Sequence, residues 1–249
     1  MRDGNGVSAQ ARFGTDGPAA RGWGADSLGD MRRRSLAVVL LLAGSGAAVH
    51  HLGLTTGSTR QERRRVLPGD GLLARPRISA THATSLAAPP DEVWPWLLQV
   101  GWHRGGWYTP RWVDVLMFPD NLPSADRVVP ELQGLEVGDW VPDGPPGTGC
   151  GFEVREVEPH RHLVLESTTH LPSTWRRRGT ARLHWTWAFV LDPEPEGGTR
   201  LVFRWRARTW PWWLTAGGHA FVVPADLVMS RGMFRGLRRR VDGHAAASG

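Results

Sequence analysis

The sequence predicts an α+β domain in which a curved antiparallel sheet wraps around a long C-terminal helix. Two long segments, residues 181–191 and 199–209, alternate apolar and polar side chains and are joined by a turn rich in proline, glutamate and glycine. A third segment, residues 224–241, carries apolar side chains at helical spacing. Each of these elements has one apolar face, and packing the sheet against the helix buries all of these faces together.

The composition is that of one folded domain behind an N-terminal extension. The chain has 249 residues, of which 41% are hydrophobic, enough for a sizeable core. The formal net charge is +6, but residues 78–210 contain 13 Arg against 16 acidic residues and are therefore mildly acidic. The excess of positive charge lies in the segments before and after them. Composition therefore favours no nucleic-acid partner. The single cysteine, Cys150, excludes an internal disulfide and a thiolate metal cluster.

Three segments precede the predicted domain at residues 78–245. Residues 1–30 lack apolar periodicity and are expected to be disordered, or to be an over-extended reading frame. Residues 31–57 contain three arginines followed by an apolar run, whose length lies between that of a signal sequence and a spanning helix. An uncleaved membrane anchor is slightly favoured over a cleaved signal, and packing onto the domain remains open. Residues 58–77 are expected to be a linker.

The first half of the domain combines one strand with two short helices. Residues 78–86 alternate apolar and small polar side chains, which predicts a strand that includes His82. Asp91 and Glu92 open a helix that Gly101 ends, and a second short helix is expected at residues 112–118. Further strands are then predicted at residues 137–141, 151–157 and 163–168.

The two long strands place large apolar side chains on one face. In the first, this face contains Leu183, Trp185, Trp187, Phe189 and Leu191. In the second, it contains Leu201, Phe203 and Trp205, with Arg200, Arg204, Arg206 and Arg208 pointing outward. The terminal helix begins with Asp226 in its first turn and ends with arginines, as the helix dipole favours.

Several motifs resemble those of the SRPBCC superfamily, which includes START-like lipid carriers and the polyketide cyclase/dehydrase group. They are Ala-Pro-Pro-Asp-Glu-Val-Trp-Pro-Trp-Leu-Leu-Gln-Val-Gly at residues 88–101, Arg-Gly-Gly-Trp-Tyr at 104–108, Ser-Ala-Asp-Arg at 124–127, Val-Gly-Asp at 137–139 and the arginine-rich stretch at 231–240. This resemblance implies a helix-grip (START-like) fold with a cavity between the sheet and the long helix. It implies no catalytic residue set.

Aromatic side chains supply the candidate ligand-binding residues. Large apolar rings with a few polar tips are typical of a ligand cavity. The candidates are Trp94, Gln99, Trp107, Tyr108, Trp185, Trp187, Phe203 and Trp205. The alternative for the group around residues 94–108 is that these side chains only cap the core.

Catalytic candidates are few. Asp126 and Tyr108 are the polar groups best suited to move a proton, with a buried histidine as a third choice, although Asp126 also fits a simple turn cap. Glu153 and Glu166 are weaker candidates. His160 and His162 share a spacing of two residues, but no third ligand has a diagnostic position, so we expect neither a metal nor a cofactor.

The leading functional hypothesis is the binding of an apolar or amphipathic small molecule, lipid-like or polyketide-like. The first alternative is a cyclase/dehydrase-type enzyme that uses the same cavity, and the second is a structural or protein-interaction module without a ligand. Membrane contact is expected through residues 36–57 and through the tryptophan-rich residues 210–214, with an otherwise cytoplasmic location.

Overall fold

The structure is a computed structural model that describes residues 44–117 and 119–248. From Gly46 onward the chain forms one compact unit. The predicted extension at residues 1–30 and most of the apolar segment at residues 31–57 lie outside the described residues.

One six-stranded sheet forms the centre of the domain, and every neighbouring pair of strands is antiparallel. The spatial order is β1-β6-β5-β4-β3-β2, so that the first and last strands of the sequence pair with each other. The strands are β1 (Ile78–Leu86), β2 (Trp140–Pro142), β3 (Gly151–Glu158), β4 (His162–Ser167), β5 (Arg182–Pro193) and β6 (Thr199–Trp210).

The prediction of a strand at residues 137–141 was wrong in its bounds, because β2 begins only at Trp140. The residues before it form a turn in which the backbone N–H of Asp139 donates to the carbonyl of Glu136 over 3.1 Å. The Asp139 carboxylate in turn accepts the backbone N–H of Glu136 at 2.8 Å. An aspartate side chain that accepts a backbone N–H three residues earlier in the chain stabilises a turn.

Seven α-helices surround the sheet, counted over the described residues. They are α1 (44–55), α2 (Arg60–Arg64), α3 (Pro90–Leu98), α4 (Arg111–Met117), α5 (Ser173–Arg178), α6 (Trp212–Gly217) and α7 (Val223–Ser248). A single π-helical turn, Gly218–Val222, joins α6 to α7. The antiparallel sheet with its long C-terminal helix is an α+β architecture consistent with a helix-grip fold.

None of the helices within residues 44–117 and 119–248 combines the length and the apolar character needed to cross a bilayer. Residues 31–43 of the predicted anchor lie outside the described part of the chain.

The main core lies on the sheet face predicted from the alternation in β5 and β6. Trp187 is opposite Trp205 and Phe189 is opposite Phe203 in the ladder, and the rings of Phe189 and Phe203 stack at 4.7 Å between centroids. From α7, Met233, Phe234, Leu237 and Val241 join this core. Burying each such side chain contributes roughly 1.5–3 kcal/mol, so the helix and the two long strands stabilise one another.

The outer face of the sheet is covered by residues 58–77, the segment expected to be a linker. Arg204, which was expected to point outward, is only 5% exposed, and its guanidinium donates to Asp70 at 2.7 Å. It also donates to the carbonyls of Glu62 and Arg65, at 2.7 and 3.0 Å. A guanidinium carries five N–H donors, and this segment supplies the acceptors that a buried arginine requires.

Glu62 is the second anchor of this outer segment. Burial works to raise the pKa of Glu62, but the hydrogen bond and charge of Arg200, with the hydrogen bonds of Thr59, overcome it and lower that pKa to about 2. The Arg200 Nε donates to Glu62 Oε1 over 2.7 Å. Because the folded carboxyl loses its proton at a lower pH than the unfolded one, its contribution to stability is complete above about pH 4.5 and disappears as the pH falls through 2.

We therefore expect Glu62→Gln to lower the free energy of unfolding by about 1–2 kcal/mol at pH 7, with the difference from wild type closing as the pH approaches 2. Urea denaturation at several pH values measures this difference. Glu196→Gln, at an exposed turn, is the control and should change nothing. If the difference in stability between Glu62→Gln and wild type is independent of pH, the lowered pKa of Glu62 is contradicted.

Candidate functional site: an apolar cavity with two polar walls

A partly open cavity of about 410 Å³ lies between the inner face of the sheet and α7. Its walls come from β5, β6, α4, α7 and the loops that precede and follow the short strands. The lining residues are Trp102, Trp107, Thr109, Val113, Asp114, Asn121, Asp143, Cys150, His170, Trp185, Trp187, Phe203, Phe221, Val222, Ala225, Asp226, Met229, Ser230 and Met233.

The α7 wall follows from helical spacing. Asp226, Met229, Ser230 and Met233 are three, four and seven positions apart, and residues with this spacing share one face of a helix. The sequence therefore presents two flexible thioethers and two polar groups to the cavity on a single helical stripe. Methionine side chains adapt to irregular shapes, which suits a wall that contacts a ligand.

Edge-to-face aromatic contacts build the opposite wall. The rings of Trp107 and Trp187 meet at 5.1 Å and 73°, those of Trp187 and Phe203 at 5.4 Å and 84°, and those of Trp185 and Trp187 at 5.5 Å and 87°. In this geometry the positive edge of one ring faces the negative face of the next. The buried indole nitrogens of Trp107, Trp185 and Trp187 find no hydrogen-bond acceptor among the described residues. These rings form a rigid, largely apolar wall.

Asp226 is the centre of the first polar wall. Its Oδ2 atom lies 2.7 Å from His82 Nε2 and accepts the Trp205 indole N–H, also at 2.7 Å. Its Oδ1 atom accepts the Ser230 hydroxyl at 2.8 Å. His82 on β1 is fully buried, and its Nδ1 atom has no hydrogen-bond partner among the described residues. The three donors satisfy a carboxylate that otherwise faces a mostly apolar space.

The second polar wall contains Asp143 and His170. The Nε2 atom of His170 lies 2.9 Å from Asp143 Oδ2, and its Nδ1 atom lies 2.7 Å from Ser167 Oγ. An ionised aspartate can only accept, so Nε2 carries the proton and Nδ1 of a neutral ring accepts the Ser167 hydroxyl. Ser167 does not line the cavity, whereas Asp143 and His170 do. The pair can orient a polar group of a bound molecule or exchange a proton with it.

Cys150 lies on the same wall, with its thiol in a partly buried place. Burial, with a smaller contribution from the charge of Asp143, raises the pKa of the Cys150 thiol to about 12. The thiol is therefore protonated at neutral pH, and the thiolate is the reactive form.

Four of the eight predicted ligand-binding residues line the cavity: Trp107, Trp185, Trp187 and Phe203. Trp205 does not line the cavity, and its indole N–H donates a hydrogen bond to Asp226. Trp94 is buried in the core, with its ring 6.3 Å from that of His160.

Gln99 and Tyr108 have structural roles instead. The Gln99 side chain accepts the backbone N–H of Val129 at 2.9 Å and donates to the carbonyl of Arg127 at 3.2 Å, which fixes that loop. The Tyr108 hydroxyl donates to the carbonyl of Trp96 at 2.7 Å.

Neither predicted catalytic candidate reaches the cavity. Asp126 is exposed and is not among the lining residues. Burial raises the pKa of Tyr108 well above its usual range, the Arg240 guanidinium lies 4.9 Å above its ring, and no part of it lines the cavity. Gly236 on α7 comes so close to the Tyr108 carbonyl that a Cβ atom there would lie 1.9 Å from it, so Tyr108 serves as a packing contact for the helix.

The weaker candidates are also accounted for. Glu166 lies 2.5 Å from His184 Nε2, and Glu153 accepts Arg155 at 2.8 Å. His162 lies 3.3 Å from Glu156, and among the residues that the structure describes no three His, Cys, Asp or Glu side chains are arranged to hold a metal ion.

Sequence reasoning missed Asp143 and His170, and it assigned Asp226 only to the helix dipole. The available signal for Asp226 was His82, which the alternation in β1 already placed on the inward face. A histidine on the apolar face of a strand needs a polar partner, and the acidic residue at the start of the terminal helix supplies it. For Asp143 and His170, which follow two different strands, the local sequence has no comparable signal.

Comparison with known proteins assigns no family. No protein-family model matches the chain, and no curated protein matches it. Among solved structures, the chain is similar to protein MLL2253 from Mesorhizobium loti, with 18% identity, 66% of this chain and 96% of that chain covered, and a TM-score of 0.37. It is also similar to hypothetical protein jhp0584 from Helicobacter pylori, with 11% identity, 70% and 94% covered, and a TM-score of 0.43.

A third similar structure is CalU16 from Micromonospora echinospora, with 17% identity, 68% of this chain and 86% of that chain covered, and a TM-score of 0.31. These similarities assign neither a family nor an activity to this chain.

Asp226→Asn should lower the free energy of unfolding by about 2–4 kcal/mol, because the amide nitrogen would face donors and leave one of them unsatisfied in a buried place. Chemical denaturation monitored by circular dichroism measures the loss. Asp242→Asn, exposed on the same helix, is the matched control and should stay within about 0.5 kcal/mol of wild type. Equal effects of the two substitutions would contradict the role given to Asp226.

Proposed function

We propose that this protein binds an apolar or amphipathic small molecule in the cavity between the sheet and α7. The observation that carries the proposal is the cavity itself, which has a volume of about 410 Å³ and walls that contain edge-to-face aromatic rings and methionines. Ligand cavities in proteins span about 300–1,000 Å³ and combine apolar walls with a few polar groups. A chain without a ligand would gain stability by filling such a space with side chains.

The polar groups of the cavity wall indicate which chemical groups the ligand has. Three polar groups interrupt walls that are otherwise mostly aromatic and aliphatic: Asp226 with Ser230, Asp143 with His170, and Asp114 with Thr109 and Asn121. A matching ligand has an apolar body and one or two polar groups that donate hydrogen bonds to a carboxylate or pair with a histidine. A lipid-like or polyketide-like molecule fits this description. The antiparallel sheet with its long C-terminal helix supports assignment of the domain to the helix-grip (START-like) fold. Together with the motifs at residues 88–108, it supports assignment to the SRPBCC superfamily.

The cavity should bind the neutral fluorescent probe N-phenyl-1-naphthylamine at one site per chain. Met229→Trp introduces a large side chain into the space and should weaken binding of the probe at least about tenfold, because overlap with the ligand is costly. Probe fluorescence on titration of the full chain measures the affinity.

Val228→Trp is the matched control, because it adds the same side chain one residue earlier, where α7 is exposed. This variant should bind the probe as wild type does. If wild type fails to bind the probe, or if both variants bind it equally well, the cavity is not the ligand site and the proposal is overturned.

A second candidate function, proton transfer of the cyclase/dehydrase kind, is favoured by one specific observation. His170 is hydrogen-bonded to both Asp143 and Ser167, and it lines the cavity beside the aromatic wall. A histidine held by a carboxylate can act as general base and acid toward a bound molecule. In this reading Asp143 is the positioning residue, and His170 moves the proton in place of Asp126 and Tyr108. His170 takes the proton at Nδ1 after the Ser167 hydroxyl has turned from that atom to Thr169 Oγ1, which lies 3.0 Å from Ser167 Oγ.

His170→Gln separates the two functions. Full-length wild type and variant, isolated gently from the cells of origin, are compared by native mass spectrometry for small molecules released on denaturation. A carrier holds the same compound in both proteins. A dehydrating enzyme instead accumulates its substrate in the variant, so that the compound differs from any in wild type by the elements of water. An identical compound in both proteins would exclude a dehydrating step that depends on His170.

A further inference from the structure

Exposed aromatic side chains occur at the cavity and in the segments next to it in sequence. Phe221 and Val222 line the cavity and are nevertheless 77% and 40% exposed. Nearby in the chain, Trp212 is 75% exposed. We call the following exposed residues the aromatic rim: Trp175, Trp210, Trp212, Trp213, Phe221 and Val222. Large exposed apolar groups that cluster in this way mark an interaction surface.

A cluster of arginines is joined to the aromatic rim. Helix α5 contains Trp175 followed by Arg176, Arg177 and Arg178, and the ring of Trp175 contacts that of Trp213 at 5.4 Å, edge to face. Among the described residues, none of these three arginines forms an ion pair with a carboxylate. The Arg176 Nε donates to the carbonyl of Leu171 at 3.2 Å, and Leu171 directly follows His170 of the cavity wall, so this end of the cluster lies near the cavity. The surface therefore favours a partner with negative charge.

Helix α1 meets the same region from the N-terminal side. Its His50 lies 3.0 Å from His219, which is in the π-helical turn that also carries Phe221. In the sequence, α1 is preceded by the uninterrupted apolar run Leu-Ala-Val-Val-Leu-Leu-Leu at residues 36–42. The described part of α1 therefore reaches the turn that carries Phe221.

We propose that the aromatic rim and the α5 arginines dock onto the surface of an anionic lipid bilayer, with the cavity mouth facing the lipids. Tryptophan prefers the boundary between lipid headgroups and acyl chains, and arginine is attracted to anionic headgroups. An acidic protein partner would account for the arginines but not for the apolar sequence that precedes α1. Docking in this orientation would let an apolar ligand pass between the bilayer and the cavity without crossing water.

Sedimentation of the full chain with vesicles tests this proposal. Vesicles of phosphatidylcholine alone are compared with vesicles that contain about 30% phosphatidylglycerol, at low and at high salt. The chain should bind the anionic vesicles more tightly, and salt should reduce the difference. Arg177→Glu with Arg178→Glu should weaken binding to the anionic vesicles at least about tenfold, because each arginine near such a surface contributes about 1 kcal/mol and reversal adds repulsion.

Arg64→Glu with Arg75→Glu is the matched control. These two arginines are also exposed, they belong to the segment on the outer face of the sheet, and the change in net charge is the same. This control should bind the anionic vesicles nearly as wild type does. Trp212→Ser should weaken binding about fivefold, whereas Val66→Ser, at an exposed apolar side chain of the outer segment, should not.

Equal losses in the two charge variants, or equal binding of wild type to the two kinds of vesicle, would overturn the proposed docking. The test is independent of the proposed ligand site, because Arg177 and Arg178 do not line the cavity. The variant with both of these arginines replaced by glutamate should therefore bind N-phenyl-1-naphthylamine as wild type does. Loss of vesicle binding with probe binding retained separates this proposal from the proposed function.

Discussion

The geometry of the domain depends on the carboxylate of Asp226. It joins three elements that are distant in sequence, because His82 of β1 and Trp205 of β6 both meet the oxygen that α7 presents to the sheet. A carboxylate without these donors would be costly to bury. Sliding of α7 along the sheet would break all of the contacts together. The helix is thus held at a fixed height above the strands, and the space beside Asp226 stays open.

The aromatic residues explain why this space does not collapse. Trp185, Trp187 and Phe203 contact each other edge to face along β5 and β6, so that each ring is supported by its neighbours in the sheet rather than by α7. Toward the C-terminal half of the helix, Phe234 and Leu237 pack directly onto the core. The helix therefore contacts the sheet near its start, through Asp226, and again farther along, through Phe234 and Leu237. The cavity lies between these two contacts, beside Met229 and Met233.

Much of the fold was readable from the sequence, because alternation over long strands is a strong signal. The inward face of β5, with Trp187 and Phe189, followed directly from it. The site was less readable, because the hydrogen bond between Asp143 and His170 joins two loops that have no local pattern. Residues 58–77 are polar and were therefore expected to be a linker. In the fold, Asp70 and the carbonyl of Glu62 accept hydrogen bonds from Arg204, which only the folded sheet brings close to them. Gln99 and Tyr108 adjoin cavity residues in sequence, yet their polar atoms bond backbone groups within the core.

The tryptophan wall also gives the protein an optical property. Trp107, Trp185, Trp187 and Trp205 each have a neighbouring indole whose ring centroid lies within 5.9 Å. At such separations the electronic transitions of the rings couple, and excitation migrates among them before it is emitted. The group then absorbs and emits as a unit, with a near-ultraviolet circular dichroism signal set by the mutual angles of the rings. Any molecule that enters the cavity and shifts one ring alters the spectrum of all of them, so occupancy of the site is visible without a label.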